Sequence, residues 1–240
     1  GYAIELDHIP DRILEVDYGC GDPNRFAEEG ERVLDLGSGS GKHCFMLAKK
    51  VGAKGRVVGV DKTPQMLELS RGAISEVAAN LADAAPPVDF LHGHIENLTW
   101  NLDRLQVALS EFGQPKDYSD LKKIKNFLDQ EPLIDSNSMD LVVSNCVLNL
   151  VADQLKPQLF EELYRVLDKG GRAIISDIVA ECDVPDGMKK DEELWTGCVS
   201  GAMRRDLFLQ AFTDAGFYGV QEISSFEWRE VQGIRFYSVT

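Results

Sequence analysis

The chain has 240 residues, 44% of them hydrophobic, with 25 basic and 40 acidic side chains and a formal net charge of −15. This length and hydrophobic content suffice for one domain with a complete core. The negative charge would repel nucleic-acid phosphates and anionic lipids, and no apolar run approaches the roughly 20 residues that span a bilayer, so neither nucleic acid nor a membrane is an expected partner.

The hydrophobic pattern predicts alternating strands and helices from Glu31 onward. Strands separated by helices are predicted at Arg32–Leu36, Arg56–Val60, Val88–Leu91, Met139–Ser144 and Arg172–Ile178. Such strands pair in parallel through right-handed crossovers. Two further strands, Gly219–Phe226 and Ile234–Val239, have no helix between them, so one of the two should be antiparallel. We therefore predict an α/β fold with a doubly wound, Rossmann-like, seven-stranded sheet, mostly parallel with one antiparallel strand.

Two segments fall outside this alternation. Residues 1–30 are predicted to form an N-terminal lead-in and substrate loop, whose YGCGDP stretch excludes regular structure. Residues 31–240 should form the ligand-binding domain, with an insertion at about 99–138. The insertion is polar and charged, contains helical patches at Leu102–Phe112 and Leu121–Leu128, and should lie on the surface or over the ligand cleft.

A glycine-rich turn follows the first predicted strand. The run from Val33 reads VLDLGSGSGK, and the second strand ends at Asp61 in RVVGVD. Gly37, Gly39 and Gly41 would let the backbone approach a ligand closely. An acid at the end of the next strand can accept both hydroxyls of a ribose. The pattern therefore indicates a nucleoside-containing cofactor.

Several kinds of site share such a turn. A phosphate-binding loop needs Ser or Thr after its lysine, but His43 follows Lys42 here. A dinucleotide site prefers GxGxxG and a bound pyrophosphate, which the carboxylate of Asp35 would repel. The same carboxylate suits the ammonium and sulfonium of S-adenosylmethionine, so the charges favour this cofactor. A turn that merely closes a strand–helix junction is the remaining alternative.

The cysteines are the second chemical feature of the chain. No pair is spaced CxxC, and the opening residues lack the features of a secretion signal, so we expect reduced thiols in a cytoplasmic protein. Cys44 should pack inside the first helix of the domain, and Cys182 should have no role. Cys146 follows the fourth strand, at the end where open α/β sheets bind substrates. Cys20 and Cys198 lie in loops that this fold carries toward the same end.

Three thiols beside a methyl sulfonium suggest a soft methyl acceptor, because thiolates select soft ions. Trivalent arsenic binds three sulfurs and keeps a lone pair, so it could accept a methyl group without a general base. The protein would then contribute alignment of the reacting atoms. Two alternatives remain open: methylation of a small organic O, N or C nucleophile, with the thiols incidental, or a non-catalytic cofactor-binding subunit whose insertion docks a partner.

From about Tyr18 onward the chain resembles the class I S-adenosylmethionine-dependent methyltransferases, and six segments resemble the arsenite methyltransferases. These segments are DYGCGDP, LDLGSGSGKHC, GVDKT, SNCVLNLV, YRVLDKGGRAIISDI and ELWTGCVSGA. The resemblance implies a set of cofactor-binding residues: Tyr18, Asp35, Gly37, Gly39, Gly41, Asp61, Met66, Ile95, Glu96 and Asn145. Among these, Asp61 would bind the ribose, Met66 would flank the adenine, and Asn145 would lie beside the transferred methyl group.

The resemblance also implies that Cys20, Cys146 and Cys198 hold trivalent arsenic, supplied as arsenite or methylarsenite. It implies an external thiol reductant, thioredoxin or glutathione, and a disulfide between Cys20 and a further cysteine upstream as the product is reduced. The chain departs from the family pattern at both ends. That upstream cysteine would fall before Gly1, and a C-terminal domain would follow the segment FYSVT.

Overall fold

The computed structural model describes residues 6–15, 19–81, 87–191, 194 and 198–240. Its strands are β1 Arg32–Leu36, β2 Arg56–Asp61, β3 Val88–His92, β4 Met139–Asn145, β5 Leu167–Ala180, β6 Met203–Arg204, β7 Ser225–Val231 and β8 Ile234–Val239. Its α-helices are α1 Asp11–Leu14, α2 Lys42–Val51, α3 Pro64–Leu81, α4 Leu102–Phe112, α5 Tyr118–Asp129, α6 Lys156–Val166, α7 Asp186–Lys189 and α8 Arg205–Asp214.

The strands form one sheet in the order β3-β2-β1-β4-β5-β8-β7, with β6 paired to β5. Strands β1 to β5 are parallel, whereas β8 runs antiparallel to both β5 and β7. The predicted α/β sheet with one antiparallel strand is therefore confirmed, and the two-residue β6 is an addition to it. The strand order reverses between β1 and β4, so a crevice opens at the carboxyl ends of these two strands.

The parallel strands are buried on both faces, as their apolar sequences require. On β1, Leu34 and Leu36 pack in a cluster with Leu159 and Phe160 of α6. Val33 points to the other face, into a cluster that includes Phe45 of α2. Both faces of β1 are thus covered by helices, and only the ends of the strand are available for a site.

The insertion forms a helical hairpin, α4 and α5, with its own small core around Ala108, Ile124 and Leu128. Helix α4 covers the predicted helical patch and begins where the Asn101 side chain accepts hydrogen bonds from two backbone N–H groups. Asp103 then fixes α4 to the domain, since its carboxylate lies 2.9 Å from His92 Nδ1 at the end of β3. The hairpin is therefore anchored at the rim of the sheet.

Two strands differ from their predicted bounds. β7 occupies Ser225–Val231 rather than Gly219–Phe226, and its first six residues are exposed, so its sequence shows no alternation of buried and exposed positions. β5 starts at Leu167 because Gly170, with φ 83°, lies in a bulge where the register against β4 shifts. In the described part of the chain, no helix combines the length and apolar composition needed to cross a membrane.

Candidate active site

A cavity of about 1020 Å³ lies at the carboxyl ends of β1, β2 and β4. Its walls include most of the residues that the sequence predicted to bind a cofactor, namely Asp35, Gly37, Gly39, Asp61, Met66, Ile95, Glu96 and Asn145. Gly41 does not line the cavity and is the N-cap residue of α2. Tyr18 lies outside the described residues. Cys146 and Cys198 line the same cavity, so the predicted cofactor and substrate residues share one space.

The glycine turn needs its glycines for two separate reasons. Gly37, Gly39 and Gly41 have φ values of 71°, 51° and 91°, a region that other residues adopt only with strain. A Cβ on Gly37 would lie 2.4 Å from Cγ1 of Val147, whereas a Cβ on Gly39 would meet no atom within 4 Å. Gly37 is therefore required by packing against the segment after Cys146, and Gly39 only by its backbone conformation.

These two glycines predict different costs for an added methyl group. For Gly39→Ala we expect only the conformational cost of the positive φ, about 1 kcal/mol of unfolding free energy. Gly37→Ala adds a collision with Val147, and we expect a total of about 3 kcal/mol. Urea unfolding of the two variants measures the difference, and equal losses would contradict this account of the turn.

Asp61 is held in place by the backbone around it. Its Oδ2 accepts a hydrogen bond from Gly39 N at 2.9 Å, and its Oδ1 accepts one from Thr63 N at 2.8 Å. Each carboxylate oxygen can accept about two hydrogen bonds, so both oxygens keep capacity for a ligand. The residue is 8% exposed and lines the cavity, which leaves that capacity facing the ligand space.

Asp35 is a buried acid at the end of β1. Burial raises its pKa, while His43 and a hydrogen bond from the thiol of Cys44 act in the opposite direction. Cys44 Sγ donates to Oδ2 of Asp35 at 3.3 Å. A carboxylate in such surroundings is stabilised by a cation, and the ammonium of S-adenosylmethionine fits this requirement. Cys44 is buried as predicted, but its contact with Asp35 was not foreseen.

The structure brings Cys20, Cys146 and Cys198 together. Cys20 and Cys146 form a disulfide with their Cα atoms 5.9 Å apart, and Cys198 Sγ donates to the carbonyl oxygen of Cys146 at 3.2 Å. The expectation that all the cysteines are reduced is therefore wrong for two of them. With this disulfide closed, no group of three or more His, Cys, Asp or Glu side chains in the described part of the chain is placed to hold a metal ion.

Two of these cysteines have strained backbones. Among the described residues, the non-glycine residues with positive φ include Cys146 at 60° and Cys198 at 58°. Such conformations cost about 1–3 kcal/mol each and persist only where the surrounding structure enforces them. The loops carrying the two cysteines are therefore held in one conformation by their contacts.

The Cys198 thiol is strongly disfavoured as a thiolate. Burial, and then the charge of Asp177, raise its pKa to about 12, although the guanidinium of Arg229 acts in the opposite direction. Cys198 therefore remains protonated at neutral pH in the absence of a ligand.

We expect the alkylation rate of Cys198 in the reduced protein to rise about tenfold per pH unit from pH 7 to pH 10. The thiolate is the reactive form, and its fraction grows tenfold per unit below the pKa. Free cysteine, with a pKa of about 8.5, serves as the reference, because its rate should level off above about pH 9. Peptide mass spectrometry after brief iodoacetamide treatment measures the rate, and a plateau for Cys198 below pH 9 would refute the shift.

Sequence reasoning missed several polar residues of the site. Asn149 and Asp177 are buried between the cysteine loops and are hydrogen bonded to each other at 2.8 Å. Asp177 could have been recognised from its position inside the apolar run AIISDIVA, because a buried acid needs hydrogen-bond partners. Arg229 on β7 lines the cavity close to Cys198, and nothing in the local sequence marks it.

A sheet that reverses its order between β1 and β4, with acids ending β1 and β2 around a glycine turn, defines a class I S-adenosylmethionine-dependent methyltransferase fold. A family model described as a methyltransferase domain matches residues 27–113 and 116–216. The crystal structure of CrArsM, an arsenic(III) S-adenosylmethionine methyltransferase from Chlamydomonas reinhardtii, superposes with a TM-score of 0.75 at 31% identity, covering 99% of this chain and 70% of that one.

Curated relatives agree with this structural match. The arsenite methyltransferase of Mus musculus is 35% identical over 98% of this chain and 56% of its own length. That of Halobacterium salinarum is 37% identical over 85% of this chain and 42% of its own length. The chain thus spans about half the length of these relatives. It belongs to the arsenite methyltransferase family of the class I S-adenosylmethionine-dependent methyltransferases.

Proposed function

We propose that the protein transfers a methyl group from S-adenosylmethionine to trivalent arsenic, as arsenite or methylarsenite, held by Cys20, Cys146 and Cys198. The observation that carries this proposal is that Cys146 and Cys198 line one cavity with Asp35 and Asp61, while Cys20, from a distant loop, is bonded to Cys146. Relatives and a solved structure that are named as arsenic methyltransferases support the same substrate.

The cofactor would be held by residues of the glycine turn and its neighbours. Asp61 would accept hydrogen bonds from the ribose hydroxyls, and Asp35 would bind the ammonium. Met66, Ile95 and Glu96 would border the adenine. When bound, S-adenosylmethionine supplies an electrophilic methyl group on a sulfonium. At the glycine turn, the buried carboxylate of Asp35 disfavours a phosphate-based cofactor, because it would repel a pyrophosphate there.

Arsenite would exchange its three hydroxyls for three thiols, with three water molecules released. The thiol protons leave in that water, so the high pKa of Cys198 is no obstacle to binding. The arsenic lone pair then forms the As–C bond as the sulfonium C–S bond breaks, and S-adenosylhomocysteine is released. Arsenic is formally oxidised by two electrons in this step, so a thiol reductant is needed to return it to the trivalent state.

The same reductant would open the disulfide between Cys20 and Cys146, because arsenic binding by three thiols requires both in reduced form. We assign this role to thioredoxin or glutathione in the cytoplasm. In this scheme residues 1–30 are the lead-in and substrate loop that supplies Cys20. Residues 31–240 are the methyltransferase domain, with the insertion at about 99–138 as an appendage to it.

The proposal is tested by incubating the reduced protein with arsenite, S-adenosylmethionine and a thiol reductant, and separating the arsenic species. We expect methylated arsenic and S-adenosylhomocysteine over many turnovers with the reductant, and no more than about one methylated arsenic per protein molecule without it. A matched incubation adds arsenite without cofactor and then alkylates the cysteines. Protection of Cys20, Cys146 and Cys198, but not of the exposed Cys182, is expected. Absence of methylated arsenic together with unprotected cysteines would leave the two alternatives, a small organic methyl acceptor or a non-catalytic cofactor-binding subunit.

A further inference from the structure

Two asparagines flank Cys146 in the segment SNCVLN, at positions −1 and +3. Both are buried, with Asn145 7% exposed and Asn149 2% exposed. A buried amide that lacks hydrogen bonds is costly, so the partners of these side chains show what each of them fixes. Their partners lie in two different loops.

Asn145 is bonded to the loop that carries Cys20. Its Oδ1 accepts hydrogen bonds from Cys20 N at 2.9 Å and from Gly21 N at 3.1 Å. Its Nδ2 donates to the carbonyl oxygen of Gly21 at 2.9 Å. A Cβ on Gly19 would lie 2.6 Å from Nδ2 of Asn145, so the loop approaches this amide as closely as glycine allows. Asn145 thus attaches the Cys20 loop to the end of β4.

Asn149 is bonded to the loop that carries Cys198. Its Nδ2 lies 3.2 Å from the carbonyl oxygen of Cys198 and 2.6 Å from that of Ile178. The same nitrogen donates to Oδ1 of Asp177 at 2.8 Å, and Oδ2 of Asp177 accepts from Leu148 N at 2.9 Å. Asp177 therefore orients the amide, and the amide fixes the backbone that gives Cys198 its positive φ.

We propose that Asn145 and Asn149 are positioning residues that set the sulfur atoms of Cys20 and Cys198, respectively, relative to Cys146. One six-residue segment would then contribute a thiol and also the two amides that bring the other thiols to it. The use of this arrangement for arsenic rests on the proposed function, but the positioning itself does not. It also assigns Asn145 to the substrate side of the cavity.

Each loop has further attachments, so removing an amide should not detach it. Ser238 Oγ on β8 donates to the carbonyl oxygen of Cys20 at 2.7 Å. Lys156 Nζ on α6 donates to the carbonyl oxygen of Gly201 at 2.6 Å, which holds the far side of the Cys198 loop. Variants at the two asparagines are therefore expected to fold, with greater mobility of the loops that carry Cys20 and Cys198.

The test uses Asn145→Ala and Asn149→Ala in the reduced full chain, with iodoacetamide alkylation of each cysteine followed by peptide mass spectrometry. We expect Asn145→Ala to accelerate alkylation of Cys20 about tenfold, and Asn149→Ala to accelerate that of Cys198 about tenfold. Tenfold corresponds to a net loss of about one buried hydrogen bond on loop opening, a lower bound because each asparagine side chain makes at least three hydrogen bonds. Cys198 in Asn145→Ala, and Cys20 in Asn149→Ala, should be alkylated within about twofold of their wild-type rates.

A matched control separates positioning from general stability. Asn101→Ala removes the hydrogen bonds at the start of α4, far from the thiols, and should leave the rates of Cys20 and Cys198 unchanged. If Asn149→Ala does not fold, the exchange Asn149→Asp with Asp177→Asn replaces it. That exchange keeps a hydrogen bond between the two side chains but removes the donor to Cys198, so the rate of Cys198 should still rise.

The result depends on which cysteine each asparagine variant affects. Acceleration confined to the matching cysteine supports the proposal, whereas equal acceleration of both, or of neither, overturns it. The same variants should raise the KM for arsenite, and Asn149→Ala should leave the Kd for S-adenosylmethionine unchanged. If wild-type protein shows no arsenite protection but the paired alkylation effects remain, the positioning role stands and the arsenic assignment fails.

Discussion

Replacement of Cys146 by serine is expected to abolish arsenite methylation, lowering the rate at least about 1000-fold. A hydroxyl is a hard ligand with little affinity for trivalent arsenic, so only two sulfurs would remain to hold it. Groups that act as one unit lose most of their joint effect when a single member is removed. The rate is measured by separating arsenic species after incubation with arsenite, cofactor and reductant.

The matched control is Cys182→Ser, which changes an exposed cysteine outside the cavity in the same chemical way. It should methylate arsenite at the wild-type rate. Cys146→Ser also removes the disulfide partner of Cys20. A loss of methylation in this variant therefore cannot be caused by a disulfide between these two positions. A Cys146→Ser protein that retains more than a tenth of the wild-type rate would exclude Cys146 as an arsenic ligand.

Replacement of Asp61 by alanine is expected to weaken S-adenosylmethionine binding by about 100-fold. Each hydrogen bond between a ribose hydroxyl and a carboxylate contributes about 1.5 kcal/mol, and two of them would be lost. The variant also leaves Gly39 N and Thr63 N without their acceptor, which should loosen the glycine turn. Isothermal titration with the cofactor measures the dissociation constant.

Asp89→Ala provides the comparison for Asp61. Asp89 lies on the neighbouring strand β3, forms an exposed ion pair with Arg56 at 2.8 Å, and does not line the cavity. Its removal should leave cofactor affinity unchanged, because exposed ion pairs contribute little and are remote from the ligand. If Asp61→Ala binds the cofactor within threefold of the wild type, another group must recognise the ribose.

The placement of most of the predicted cofactor residues around one cavity was predictable because their sequence signals are local. The glycine turn and Asp61 belong to consecutive strands, and their spacing alone places them at one edge of a parallel sheet. The residues Asp35, Asp61 and Met66 all line the cavity as expected. Because these residues are close in sequence and the strands and helices alternate regularly, this part of the fold can be predicted from the sequence alone.

The sequence predicted that Cys20, Cys146 and Cys198 lie near one another, but it did not predict the bonds between them. Cys20 and Cys146 are 126 residues apart, and no local pattern shows that they form a disulfide with each other. The contacts of Asn145 and Asn149 also involve partners distant in sequence, since Cys20 is 125 positions from Asn145 and Cys198 is 49 positions from Asn149. β7 was misplaced because residues 225–230 are all exposed, so the strand has no buried face to distinguish it, and Arg229 lies among these residues.

The hydrogen bond from Ser238 to Cys20 joins residues 218 positions apart. During translation the ribosome releases the strands that bind the nucleoside long before it releases β8. A nascent chain can therefore complete its nucleoside-binding crevice while the Cys20 loop still lacks one of its anchors. Contacts of such long range form late in folding. The Cys20 loop can consequently reach its fully anchored position only after the β7–β8 hairpin has folded.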